Sequence, residues 1–369
     1  MKIRVKTDEL KNAVQTVIPA LAVKSEAVST KVYEFIYISA ENCSITLKCC
    51  NLNMQIETEI AAFTETDGEI LLPGKLFAEI VAKLPADETV LEKQDDTVKI
   101  ISGAMNMKLQ SLPAAEFEGI KAVSSENEIR IEEGLLKKMV LQTSPFALQD
   151  NTRPVLKGVL VEVFENELNM VALDPLKFAM RTEKIENLSN RDTQIIIPSK
   201  LFESAVRVLS DSNELVKLIF SRQSLTISAN NTTIIMLKLD GTYIDYNALI
   251  PKNYETRVKM NRKEFISIIE RAYLVARDDN KNTVKFIFEN DYLEVSVDNE
   301  IGSVKDRMDV FISGNDISIC FNIKFFIDVM KNIEDDEICM EMTQPGKSCV
   351  IKPVEGKSFC YLVVPILMR

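Results

Sequence analysis

One short stretch is written three times in this chain, and any fold must accommodate that repetition. It reads Pro73-Gly74-Lys75-Leu76-Phe77-Ala78-Glu79-Ile80-Val81-Ala82-Lys83 at its first occurrence. The second is Pro198-Ser199-Lys200-Leu201-Phe202-Glu203-Ser204-Ala205-Val206-Arg207. The third is Asn322-Ile323-Lys324-Phe325-Phe326-Ile327-Asp328-Val329-Met330-Lys331. The leading lysines stand 125 and 124 residues apart. Apolar residues recur at helical spacing, so each copy predicts a short helix. Each also carries a lysine, an acid three or four residues on, and a second cation at the next turn. That places two cations on one exposed face, with an acid between them to pair with.

A second landmark keeps the same register. Glu41-Asn42, Glu165-Asn166 and Glu289-Asn290 follow one another at intervals of 124 residues. Each lies between two alternating apolar runs, as a hairpin turn does. Two landmarks in step divide the 369 residues into three repeats, with expected domains at 1–125, 126–253 and 254–369. Every repeat predicts a first strand, an amphipathic helix, three strands, one strand leading into the repeated helix, and three more. Leu10, Ala13, Val14, Val17 and Ile18 form the apolar stripe of the first such helix. Eight hairpin-connected strands with two helices covering one face make an α+β domain built on antiparallel sheets.

The composition excludes several function classes. Net charge is -11 with a pI near 4.9, so an anion-binding surface would have to be local, with cations segregated to one face. The start, Met1 to Glu9, is charged and has no apolar core, and no apolar run is as long as a membrane span. The expected location is cytoplasmic, with no membrane partner. Seven cysteines without a secretion signal read as reduced, buried thiols. There is no histidine, which removes Ser-His-Asp and Cys-His catalysis and most zinc geometries. Gln344-Pro345-Gly346-Lys347-Ser348 ends like a phosphate-binding loop, but Glu341 stands where its first glycine is needed. Asp95-Asp96, Asp278-Asp279 and Glu334-Asp335-Asp336-Glu337 are acid clusters of the kind that hold Mg²⁺ in nucleases, yet they fall at turn positions and read as solvated turns. The expectation is a protein without catalytic residues, metal or cofactor.

Cation placement is what recurs. The repeated helices offer Lys75 and Lys83, Lys200 and Arg207, Lys324 and Lys331. The first helices of the repeats offer Lys11, then Lys137 and Lys138, then Lys263 and Arg271. On any one helix this is an ordinary solvated face. Along one shared surface it would make a local positive field suited to sequence-independent phosphate contact. With no tryptophan in the chain, duplex contact is favoured over a stacking groove for single strands.

Further motifs are strung along the chain. They are Ser111-Leu112-Pro113-Ala114-Ala115-Glu116-Phe117, and Gln149-Asp150-Asn151-Thr152-Arg153 before Leu156-Lys157-Gly158-Val159-Leu160. Next come Val171-Ala172-Leu173-Asp174, Asp245-Tyr246 before Ile250-Pro251-Lys252, Phe321-Asn322, and Tyr361-Leu362-Val363-Val364-Pro365. In this order and spacing they resemble the bacterial DNA polymerase III β subunit family, the replicative sliding clamps, over the whole length. The resemblance implies a head-to-tail homodimer whose six domains close into a ring around double-stranded DNA, with twelve helices lining the hole. It implies a topological mechanism and no catalysis. It puts the dimer contact between Met107 and Leu109 on one side and Leu274 and Val275 on the other. It adds Lys24, Gln149, Arg153 and Arg277 to the DNA-facing rim.

The same resemblance implies a cleft between the second and third repeats for short peptide motifs of the replicative polymerase and the clamp loader. Its matching positions are Leu156, Leu173, Pro175, Lys177, Phe178, Ile244, Ala248, Leu249, Leu362, Val364, Pro365 and Ile366. Here the chain departs from the family. Its usual Thr-Asp-Gly-His-Arg-Leu reads Leu173-Asp174-Pro175-Leu176-Lys177-Phe178, and Pro-Asp-Tyr-Arg-Arg-Val reads Ile244-Asp245-Tyr246-Asn247-Ala248-Leu249. An arginine is lost and apolar bulk gained, as in a divergent or second-copy clamp with altered peptide preference. The rival reading is a repeat-built interaction scaffold that never encircles DNA.

Overall fold

The computed structural model describes residues 1–22, 28–121, 125–277 and 282–367. It contains six α-helices among these residues: α1 (Thr7–Val17), α2 (Gly74–Val81), α3 (Glu133–Thr143), α4 (Ser199–Val206), α5 (Arg262–Ala276) and α6 (Ile323–Asn332). Each repeat therefore carries the two helices its sequence predicts. Among the described residues each also carries nine strands rather than about eight. The additional strands, Phe63–Thr66, Glu186–Asn187 and Phe311–Gly314, occupy equivalent places and pair antiparallel with the first strand of their repeat. They are short and largely exposed, so they leave no apolar alternation to read.

The three landmark turns are tight hairpins. Asn42 and Cys43 take φ of 52° and 63°, Glu165 takes 51°, and Asn290 and Asp291 take 49° and 59°. Left-handed central residues match the twist of the strands they join.

Contacts divide the chain into two compact units, and the middle repeat contributes to both. One comprises Met1–Lys137 with Ile185–Lys238, the other Lys138–Lys184 with Leu239–Arg369. In the first unit, nine strands form one sheet in which strand Met54–Ala61 of the first repeat pairs with strand Thr232–Leu237 of the second. A five-stranded sheet ends on strand Met105–Gln110. In the second unit, strand Lys177–Lys184 of the second repeat pairs with strand Phe359–Val363 of the third, within a larger antiparallel sheet. A four-stranded sheet there ends on strand Gly302–Asp309.

Helix packing explains why the repeated stretch looks as it does. Phe77, Phe202 and Phe326 are each fully buried, two residues after the leading lysine of their helix. At 3.6 residues per turn, two positions are about 200° apart around the axis, so burying the phenylalanine turns the lysine outward. In the third repeat this phenylalanine joins a cluster: Phe326 lies 6.1 Å from Phe265, 5.1 Å from Phe286 and 4.8 Å from Phe321. Asn322 caps α6 by accepting from the Lys324 N–H at 3.0 Å, satisfying an otherwise orphan donor. Six of the seven cysteines are buried and Cys43 is exposed. Burial pushes the thiols of Cys50 and Cys360 up to about 11, which keeps them protonated and unreactive.

Candidate functional site

The leading lysine of each repeated helix, Lys75, Lys200 and Lys324, is exposed. None of the three has an ion-pair partner among the described residues, and Lys83 is in the same condition. The remaining helical cations are engaged. Lys137 donates to the Leu209 carbonyl at 3.0 Å and meets Asp211 at 3.0 Å. Lys11 pairs with Asp8 at 3.5 Å, Lys263 with Asp336 at 2.9 Å, Arg271 with Asp306 at 2.6 Å, and Lys331 with Glu270 at 3.5 Å. Lys138 pairs with Glu334.

The intrahelical pairing expected of the repeat occurs only in α4, where Arg207 approaches Glu203 to 4.0 Å. In α2, exposed Glu79 makes no such pair, because a solvent-facing lysine gains little from one. In α6, Asp328 is half-buried, and burial holds its carboxyl above the usual range against the nearby lysines 177, 324 and 331.

Of the rim residues, Arg153 and Arg277 are exposed and without an ion pair among the described residues. Gln149 is exposed but donates to the Ala147 carbonyl at 3.0 Å. Lys24 lies outside the described residues, as do Asp278 and Asp279. Among the described residues no cluster of acids or cysteines could hold a metal ion.

The residues expected at a dimer contact sit on or beside two sheet ends. Met107, on end strand Met105–Gln110, is 36% exposed, while Leu109 is buried opposite Val98 in its own sheet. Leu274 of α5 is 61% exposed. Half-buried Val275 follows it, its carbonyl accepting from the Asn299 side chain at 2.9 Å.

The segments expected to form the peptide cleft meet in the second unit. Asp174 closes a tight turn by accepting from the N–H groups of Leu176 and Lys177 at 2.7 and 2.9 Å. Its carboxyl is nonetheless held above the usual range by burial. Phe178 stacks on Tyr246 at 6.0 Å, and the Tyr246 hydroxyl donates to Glu162 at 2.5 Å. Asp245 caps the turn that carries Ala248 and Leu249, accepting from Asn247 N–H at 3.1 Å. The segment after the last strand is held twice: Val364 N–H donates to the Leu176 carbonyl at 2.9 Å, and Ile366 N–H to the Cys320 carbonyl at 2.7 Å.

Leu156, Leu173, Phe178, Leu362 and Pro365 are buried, with Val364 and Ile366 half-buried. Pro175, Ile244, Ala248 and Leu249 are exposed. Lys177 turns its ammonium away, donating to the Pro145 carbonyl at 2.7 Å with the rings of Phe146 and Phe325 at 5.0 and 5.7 Å. Leu176, which the sequence reading passed over, is 50% exposed at the head of the turn. Its own position in a polar-looking loop gave no periodic signal. A leucine there, beside Pro175, was the available clue.

Comparison with known proteins matches each third of the chain to one family. The DNA polymerase III β subunit N-terminal domain fits residues 1–121, its central domain 130–245 and its C-terminal domain 247–367. A β sliding clamp of Staphylococcus epidermidis is 32% identical over 311 residues, covering 84% of this chain and 82% of that one. The DNA polymerase sliding clamp of Bacillus subtilis superposes with a TM-score of 0.96 at 28% identity over the whole of both chains. The DNA polymerase III β subunit of Thermotoga maritima does so with a TM-score of 0.90 at 26% identity, again over both chains in full. The chain therefore belongs to the DNA polymerase III β subunit family, the β sliding clamps, and its three α+β clamp domains serve as a non-catalytic processivity factor of DNA polymerase III.

Proposed function

We propose that two copies of this chain close head to tail into a ring around duplex DNA. Met105–Gln110 of one copy pairs with Gly302–Asp309 of the other. The observation that supports this most is that both junctions between successive repeats are built alike. In each, the strand closing the repeat's first three-stranded run pairs with the last strand of the next repeat.

The register is the same as well. Ala61, Lys184 and Asp309 are equivalent, because they stand opposite Ser44, Glu167 and Tyr292, each the first residue after a two-residue hairpin turn. Three residues earlier, Thr58 stands opposite Thr232, and Arg181 opposite Phe359. The equivalents left over are Asp306 and Met105, each on a strand that ends its sheet. Continuing the pattern sets Asp306 opposite Met105, Val304 opposite Met107 and Ser303 opposite Lys108. Side-chain parity agrees. Val98 and Leu109 are buried partners, and Asp306 faces α5 through Arg271, so Met107 and Val304 share the helix-side face with Leu274. A heterologous contact that closes after two copies leaves no free end.

In such a ring Lys75, Lys200 and Lys324, with Lys83, Arg153 and Arg277, supply the uncommitted positive charge toward DNA. The paired cations add contacts only by exchanging a carboxylate for a phosphate. Phosphate contacts are equivalent at every register, so a threaded ring slides, while the acidic remainder of the protein repels DNA. The polymerase and the clamp loader bind through short peptides at the apolar cleft.

The test is retention on duplex DNA that is nicked but circular, against the same DNA linearised. A threaded ring stays on the circle and runs off the linear form. Equal retention on both fits a scaffold that does not encircle DNA. Sedimentation of the purified protein as a monomer at micromolar concentration would leave the ring without a closing contact.

A further inference from the structure

We propose that the Arg271–Asp306 ion pair opposes closure of the joint between two copies and so sets how readily the ring opens. This rests on the ring reading above and names what regulates its closing contact.

The pair sits at positions that all three repeats share. Thr7, Glu133 and Arg262 each begin the first helix of a repeat, their N–H groups donating to the carbonyls of Asp87, Glu214 and Asp336. Nine residues on, Thr16, Gln142 and Arg271 are therefore equivalent. On the joining strands Thr58, Arg181 and Asp306 are equivalent. The far end of each joint keeps step as well: Leu237 N–H donates to the Asn53 carbonyl at 2.8 Å, and Val364 N–H to the Leu176 carbonyl at 2.9 Å. Continued into the third joint, this brings Gln110 N–H to the Ile301 carbonyl, with Asp306 opposite Met105 at the other end.

In the two joints within the chain this position is sealed. Thr58 is 3% exposed and Arg181 6%. The first joint is neutral there, with the hydroxyls of Thr58 and Thr232 2.9 Å apart. The second shows what sealing does to charge. Arg181 stands opposite Phe359 and keeps Glu183 as its partner, but its Nε and the Gln142 Oε1 are buried without a hydrogen-bond partner. In a single copy the third position is still hydrated, the side chains of Asp306 and Arg271 being 26% and 51% exposed. The pair is already complete there: Arg271 Nη2 and Nε lie 2.6 and 2.7 Å from Asp306 Oδ2, and Nη1 donates to Ser267 at 2.6 Å.

Closing the ring lays Met105 of the second copy against Asp306, because directly opposed residues on one face are neighbours. A thioether gives a carboxylate no donor. Since the pair forms before the copies meet, closure adds no attraction from it and only strips its water. That desolvation outweighs what the pair gains in a lower dielectric. The apolar contacts of Met107, Val304 and Leu274 must overcome it. In the second joint the continuous chain bears the same burden; between two copies nothing covalent does.

The experiment uses full-length protein labelled at Cys43, the one exposed cysteine among the described residues. One batch carries a donor dye and another an acceptor, and energy transfer after mixing reports the exchange of copies between rings. Arg271→Leu/Asp306→Val is expected to exchange at least about fivefold more slowly than the parent. Arg271→Thr/Asp306→Thr, which copies Thr16 and Thr58, is expected to slow exchange likewise. Asp306→Val alone leaves a guanidinium to be buried unpaired, and is expected to exchange about tenfold faster. The inference is overturned if either double variant, with thermal unfolding like the parent's, exchanges as fast as the parent or faster. It is equally overturned if Asp306→Val alone slows exchange as the double variants do. A parent that sediments as a monomer at micromolar concentration would instead overturn the ring reading itself.

Discussion

Thr58 and Thr232, 174 positions apart in the chain, stand directly opposite each other with their hydroxyls 2.9 Å apart. Their strands join the first and second repeats into one sheet. Arg181 and Phe359 hold the equivalent places between the second and third. A chain that twice solves the same joining problem in one register carries the instructions for a third, which in the proposed ring a second copy completes.

The first prediction tests that register. Oxidation of the Lys108→Cys/Ser303→Cys double variant is expected to give covalent dimers on a non-reducing gel, since directly opposed residues place their Cα atoms about 4.5–5.5 Å apart, within disulfide reach. Lys108→Cys with Val304→Cys is expected to stay monomeric under the same oxidation, because a shift of one residue sends the thiols to opposite faces. Equal cross-linking of the two pairs would refute the register.

The second prediction separates uncommitted from committed cations. Replacing Lys75, Lys200 and Lys324 together by glutamine removes six charges from a two-copy ring. The slope of log affinity for duplex DNA against log salt should then fall by up to about five, at about 0.9 per phosphate contact. Lys137→Gln is expected to leave the slope alone and lower stability by about 1 kcal/mol instead, because it deprives the Leu209 carbonyl of its donor. A slope that drops as much for Lys137→Gln as for one of the three leading lysines would contradict this division.

How legible this was from sequence can be judged residue by residue. The outward lysines were legible because a buried phenylalanine two positions on leaves them nowhere else to go, and that spacing is local. Two of the hairpin turns were legible for the same reason, since Asn42 and Asn290 tolerate the left-handed backbone required there, whereas in the second turn it falls to Glu165. The ion pairs were not. Lys138 finds Glu334 across 196 residues, and no local pattern announces a partner that folding brings from so far. Nor was the inward turn of Lys177, whose resemblance-based role as a peptide contact says nothing of where its ammonium points. The short strand Phe311–Gly314 escaped because backbone pairing with Thr256–Asn261, not side-chain alternation, creates it.

That strand supports a third prediction. Gly314 has φ +119°, and a Cβ there would lie 2.0 Å from the Glu255 carbonyl oxygen. The obstruction is backbone, so no rotamer change relieves it. Gly314→Ala is expected to destabilise the protein by about 2 kcal/mol or more, from positive-φ strain and overpacking together. Thermal or denaturant unfolding measures it, and a loss smaller than about 0.5 kcal/mol would mean that the strand edge yields freely.

The last prediction concerns pH. Glu133 begins α3 and anchors the loop after α4, accepting from the Ser210 N–H at 2.9 Å, from the Ser212 hydroxyl at 2.8 Å, and from the Ser210 hydroxyl. Burial pushes this carboxyl up, but the serine hydrogen bonds and the nearby Lys137 ammonium more than offset it, leaving it below the ordinary range. A carboxyl depressed in the folded state contributes stability that is present above its unfolded pKa, about 4.3, and is lost as pH falls through the folded value. Glu133→Gln keeps the shape but not the charge, and is expected to cost about 1–3 kcal/mol near neutral pH. The gap between parent and variant should hold steady down to about pH 5 and then narrow as the parent's carboxyl takes up its proton. Denaturant unfolding across that range reads it directly. A gap equally wide at about pH 3 would show that shape, rather than charge, makes Glu133 the anchor of this loop.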